Sequence, residues 1–229
     1  MKRTFTMIAV LLLTFAGFSQ RYEDTRDVGN FHAIKAFGGV EVRLVKGKPG
    51  KIYIESNRIS HQDIITEVSR GTLRIKPRTS SLFNEKSRHW YIRVEVTYDY
   101  LDEIRATAGA KVISRNTVKT DEILILASTG GEIDIRLDAH TVESQVGTGA
   151  IVELSGTTKY HNSNVSMGGE LDAFYLESDY VVVRSTMGGI ANMRANKEIK
   201  ASAGLGGVVG VRGDPVYISR RTSLGGEIH

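Results

Sequence analysis

A pair of small residues returns seven times along the second half of the chain, and its spacing governs what the chain can fold into. The clearest copy is STGGEIDI at residues 128–135. Variants are ATAGAKVI (106–113), VGTGAIVE (146–153), SMGGELDA (166–173), TMGGIANM (186–193), GLGGVVGV (204–211) and a terminal SLGGEIH. Aligned on the second small residue, the anchors are Ala110, Gly131, Ala150, Gly169, Gly189, Gly207 and Gly226, at steps of 21, 19, 19, 20, 18 and 19 residues. Such a period belongs to solenoids, in which one repeat is one coil that cannot bury its apolar side alone.

The columns of this self-alignment specify the kind of coil. Glycine precedes every anchor (Gly109, Gly130, Gly149, Gly168, Gly188, Gly206, Gly225), which implies a backbone conformation or a close approach that a side chain would block. Two residues after the anchor every residue is apolar, from Val112 and Ile133 to Val209 and Ile228; four after, Ile135, Leu154, Ala173, Met193 and Val211 continue the pattern. This alternation is that of strands, so equivalent strands of successive coils pair in parallel about 4.8 Å apart. A right-handed parallel β-helix with coils of about 19 residues is expected, since helical solenoids fail on the alternation and propeller repeats are longer. Met167, Met187, Leu205 and Leu224, two before their anchors, read as interior packing at a coil corner.

Residues 20–103 read as a more irregular β region and 104–229 as regular coils, together one domain. Period-two runs mark strands at Val40–Leu44, Ile52–Ile54, Leu73–Ile75 and Trp90–Tyr98, the last with Trp90, Ile92, Val94, Val96 and Tyr98 on the core face. GKPG at 47–50 predicts a turn, Ser60–Ile65 a short helical turn, and the aperiodic 78–88 a mobile loop.

Residues 1–19 have the form of a signal peptide: Lys2 and Arg3, an apolar run from Met7 to Phe18 too short for a comfortable span, and small residues before an expected cut after Ser19. Without them 28 basic and 26 acidic residues remain, a net charge of +2 with no block of one sign, which gives nucleic-acid binding no support. There is no cysteine, hence no disulfide and no lipid-bearing N-terminal cysteine. No transmembrane span is expected after leader removal.

FHAIKAFGGVEVRLVKG, then TLRIKP, then VEVTYDYLDEIRATAGAKV, followed by glycine-pair repeats, resembles the auto-transporter adhesin head GIN-domain proteins of Bacteroidetes, over about Phe31 to Gly226. The resemblance implies an exported β-helix-like domain with an adhesin or surface role, and brings no catalytic residues. Location in the periplasm, at the outer membrane or on the cell surface would follow.

The outward columns carry the remaining chemistry. An exposed acidic strip of Glu132, Asp134, Glu153, Glu170 and Asp172 would stack coil on coil, and could hold a cation such as calcium or act as acid and base on a polysaccharide. The sequence favours a plainer reading: Arg115, Arg136, Ser155, Phe174, Arg194 and Arg212, five after the anchor, form a largely basic column that would neutralise the acids as an ion-pair ladder. The glycine-aspartate nonapeptide of calcium-binding β-rolls is missing, as are H-E-x-x-H, G-x-S-x-G, phosphate-loop and dinucleotide motifs, so no metal or cofactor is expected. The histidines show no ligand spacing and read as surface or turn residues. The expected function is a non-catalytic binding or structural module facing a glycan, an envelope polymer or a protein, with self-association through coil ends possible in principle. The alternative is a carbohydrate-active β-helix lyase or hydrolase, on fold analogy.

Overall fold

The computed structural model describes residues 21–78 and 90–229. The expected signal peptide and nearly all of the expected loop at 78–88 lie outside the described residues. The regular structure described is strand throughout, save one 3-10 turn at His61–Asp63 capped by Ser60, where the short helical turn was expected. The chain is a parallel β-helix.

The regular coils run through β8 (Glu103–Thr107), β9 (Lys111–Ser114), β10 (Val118–Ser128), β11 (Glu132–Val146), β12 (Ile151–Val165), β13 (Glu170–Thr186), β14 (Ile190–Gly204), β15 (Val208–Arg212), β16 (Tyr217–Ser223) and β17 (Glu227–Ile228). Each pairs in parallel with its equivalent one coil on: Ile133 opposes Val152, Val152 opposes Leu171, Leu171 opposes Ala191 and Ala191 opposes Val209. All five are buried, as are Ile135, Leu154, Ala173 and Met193 beside them.

The glycine pair closes each coil as a tight turn. In each of the seven repeats the anchor N–H donates to the carbonyl three residues back, at 2.9–3.2 Å, as Gly131 does to Ser128. Both central residues have positive φ, for instance 53° at Thr129 and 69° at Gly130, the signature of a type I′ turn. The left-handed pair also extends the coil-to-coil ladder through the corner, because Gly130 N–H donates to Thr148 O, Gly149 to Met167 O and Gly168 to Met187 O.

The two glycine columns therefore have different causes. A Cβ at Gly130 would meet nothing within 4 Å, so that column is glycine for its φ alone; a Cβ on the anchor Gly131 would stand 2.1 Å from Ala106 O. The first central residue points away from the coil. Met167, Met187, Leu205 and Leu224 are accordingly 49–76% exposed, not interior, because a left-handed backbone at that position turns the side chain to solvent.

The N-terminal region is less irregular than its sequence. β2 (Ala33–Phe37) and β3 (Val40–Lys46) are joined by Gly38 and Gly39, both at positive φ, and pair in parallel with β8 and β9: FGGV is a further corner of the same kind. On their other side β2 and β3 pair in parallel with β6 (Thr72–Pro77) and β7 (Tyr91–Tyr98). Spatial order thus departs from chain order, the β6–β7 layer lying outside the β2–β3 layer that precedes it in sequence. Antiparallel strands cover this outer layer: β4 (Lys51–Asn57) on β7, β1 (Arg21–Asp27) on β4, and β5 (Ile64–Ser69) on β6. Ile92, Val94, Val96 and Tyr98 are buried as expected, and Trp90 packs partly buried against the core.

A polar cluster interrupts the apolar core. His161 stands in register between Val142 and Val181 and is fully buried, with Nε2 2.9 Å from Ser144 Oγ, which donates in turn to Ser163 Oγ at 3.0 Å. This corrects the surface or turn reading of that histidine. Burial without a charged partner pushes its pKa down to about 4, so the ring is neutral at neutral pH. Its Nδ1 has no hydrogen-bond partner.

Candidate functional site

Outward side chains on adjacent coils stand one strand spacing apart, so function on such a frame is a matter of which columns run together. In register, Asp134 opposes Glu153, which opposes Asp172, while Glu132 and Glu170 flank Ile151. Among the described residues no group of three or more His, Asp or Glu side chains is placed to hold a metal ion.

The expected ion-pair ladder does not form on this strip. Lys111 reaches Glu132 at 2.8 Å, and that hydrogen bond raises the lysine pKa. Asp172 instead accepts from the Phe174 N–H at 3.0 Å, and among the described residues no ion pair engages Asp134, Glu153, Glu170 or Arg136. Exposed carboxylates are well hydrated and gain little from pairing, so sequence complementarity alone does not impose contact. Pairing is denser in the N-terminal layers, where Glu41 meets Arg43 at 2.6 Å and Arg93 at 3.3 Å.

The basic column is broken by a small side chain already legible in the repeat and by a shift of register that the repeat does not show. At Ser155 the arginine file gives way to a small side chain. At β13 an extra residue puts Ala173 and Phe174 opposite Leu154, a β-bulge, so that Tyr175 rather than Phe174 comes into register with Ser155. Phe174 then lies under the Arg212 guanidinium, 3.9 Å from the ring centroid, and Tyr175 projects 71% exposed. Around Ser155 lies an open cavity of about 450 Å³ lined by Arg136, Ser155, Gly156, Thr157, Tyr175 and Glu177.

A second groove, of about 290 Å³, lies on another outer face, where Arg184 and Arg221 flank Ser202 in register and Lys200 adjoins. Further along, His140 meets Tyr160 edge to face with centroids 5.4 Å apart, and Tyr160 stacks on Tyr180 at 5.2 Å. The two tyrosines face each other at 21°, so their ring faces are used in stabilising the stack.

Among solved structures the chain is similar to a putative adhesin from Bacteroides fragilis, with TM-score 0.79 and 20% identity over 91% of this chain and 96% of that one. It is also similar to a putative lipid binding protein from Parabacteroides distasonis (TM-score 0.68, 17% identity, 93% and 97% covered). A third is a putative adhesin from Parabacteroides merdae (TM-score 0.67, 17% identity, 93% and 98% covered). At these identities the likeness is one of fold. No match emerges from the comparison with curated proteins. No described helix is long and apolar enough to cross a membrane. The family model described as "Putative auto-transporter adhesin, head GIN domain" matches residues 30–215, the stretch from β2 to β15, and the chain belongs to that family.

Proposed function

We propose that the protein is an exported, non-catalytic binding module of the adhesin type, whose ligand is a glycan, an envelope polymer or another protein met outside the cytoplasm. The observation that carries this reading is the outer surface. Arg136, Arg184, Tyr175 and the acidic file are displayed at strand spacing on a frame whose hydrogen-bond ladder runs even through its corners, so their relative positions are fixed before any ligand arrives. Membership of an adhesin family and the leader-like first nineteen residues agree with export. Nothing observed favours the lyase or hydrolase alternative.

Protease shaving of intact cells, followed by fractionation, tests the reading. Loss of the protein from intact cells, together with retention of purified protein on a glycan- or envelope-coated surface, is the expected result. A protein recovered only inside the cytoplasmic membrane would overturn it.

A further inference from the structure

The coil from Ala150 to Gly169 is locally stripped of side chain where its neighbours are not. In register, Arg136 of β11 is followed by Ser155 and then Tyr175; Leu137 by Gly156 and Leu176; Asp138 by Thr157 and Glu177. Leu137 and Leu176 are buried, so the outward rows are Arg136–Ser155–Tyr175 and Asp138–Thr157–Glu177. Large side chains rise from the two outer coils and small ones from the middle coil. The walls stand on backbones about 9.6 Å apart, two strand spacings, leaving a slot about one flat ring wide between them.

Three further facts make this more than a gap. The floor is fixed, because Gly156 has φ +110° and a Cβ there would lie 1.9 Å from Leu137 O. The bulge in β13 places Tyr175, with its ring 71% exposed, on one wall. The acids around the slot already have partners, Asp138 with Lys119 at 3.2 Å and Glu177 with Arg194 at 3.5 Å, whereas Arg136, on the same wall as Asp138 and opposite Tyr175, has no ion-pair partner among the described residues. The uncommitted charge is therefore positive. The cavity volume of about 450 Å³ lies within the range of small-ligand sites, roughly 300 to 1,000 Å³.

The geometry points to a binding slot for an acidic pyranose, a uronate unit of a polysaccharide. Its flat apolar face packs on Tyr175, its hydroxyls meet the Ser155 and Thr157 hydroxyls and the Glu177 carboxylate, and its carboxylate takes the paired donors of Arg136. A neutral sugar would leave Arg136 unanswered. A simple inorganic anion would leave Tyr175 without a role. The inference rests on the binding-module reading and names the ligand class for one site within it.

Calorimetric titration of the mature chain with tetrasaccharides of galacturonate, mannuronate and hyaluronan tests it, each compared with its methyl ester. Saturable binding of at least one is expected, weakened about tenfold by esterification, at least tenfold by Arg136→Gln or Tyr175→Ala, and abolished by Ser155→Arg, which refills the slot with the side chain that its neighbouring coil carries. The three positions are on the surface, and an unchanged melting temperature verifies folding. No binding across the panel, or binding indifferent to Ser155→Arg, overturns the slot. Retention on a glycan- or envelope-coated surface separates the two readings: if it survives Ser155→Arg while the panel fails, the module stands and the slot falls; if neither surface nor panel binds the wild type, both fall.

Discussion

The coils after Glu103 and the layers before it share parallel pairing and a left-handed corner but are assembled under different rules. In the later coils each strand is laid on the one formed a single period earlier, so sequence order is spatial order and the columns are readable. In the earlier layers the chain makes the β2–β3 coil, turns back through antiparallel β4 and β5, and sets β6–β7 on its outer side before crossing to β8. A period reports geometry only where the chain advances in one direction. The comparison also separates two sources of order: the later coils rely on backbone corners, the earlier layers on long side-chain ties.

The largest effect should come from testing the corners. Gly131→Ala puts a Cβ against Ala106 O and is expected to cost about 3 kcal/mol, while Gly130→Ala, where only φ +69° matters, should cost about 1 kcal/mol. Urea denaturation of the pair measures the ratio; equal losses would mean that close approach is not what distinguishes the columns. Gly39→Ala, at the matching N-terminal corner, meets the edge of Trp90 at 2.9 Å rather than backbone and should fall between them.

Next in size is a pH effect confined to the regular coils. His161 is held neutral down to about pH 4, whereas in the unfolded chain it takes up a proton near 6.5. Between those values the unfolded state binds the extra proton, so this residue's contribution is fully present above pH 6.5 and is lost as pH falls toward 4. The loss amounts to about 3 kcal/mol. Substituting the valine found at Val142 and Val181, as His161→Val, should remove that part of the slope; an unaltered pH profile would refute the assignment.

In the N-terminal layers the corresponding tie is Arg26, which pairs with Asp24 at 2.7 Å and donates to Ile64 O at 2.7 Å and Thr66 Oγ1 at 2.8 Å. Arg26→Ala should cost about 2 kcal/mol and raise amide exchange in β1 and β5 while leaving β12 to β14 protected. Uniform loss of protection would show the two regions to be one cooperative unit. The smallest effect is a gain: Met187→Asn, at an exposed site with φ +50°, should raise stability by about 0.5 kcal/mol, since asparagine tolerates that conformation better. A loss would mean that the methionine is held by contacts its exposure does not suggest.

The legible part of the molecule was the part written in columns. Seven corners and the inward pairs such as Ile133 with Ile135 follow from spacing alone. FGGV escaped the repeat because its partners at Thr107 and Ala108 lie about seventy residues on, far outside one period. Met167 and Met187 misled because hydrophobicity suggests an interior place, whereas backbone handedness decides where a Cβ points. His161 was visible in principle, eleven residues after Ala150 just as Val142 is eleven after Gly131. The slot was half visible: Ser155 stood out in a basic column, but the bulge that substitutes Tyr175 for Phe174 leaves only a one-residue lengthening of its coil, 20 where its neighbours on the N-terminal side have 19.

The sandwiching of β2–β3 between β6–β7 and β8–β9 has a kinetic consequence. That coil cannot gain both of its neighbours until the chain has been laid down through Ser114, so closing it requires contacts of high sequence separation and a correspondingly slow, entropically costly step. Every later coil needs only the one before it. Folding is therefore expected to wait on a single nucleus in the first half of the chain and then to zip toward the C-terminus one coil at a time, each finished edge serving as the template for the next.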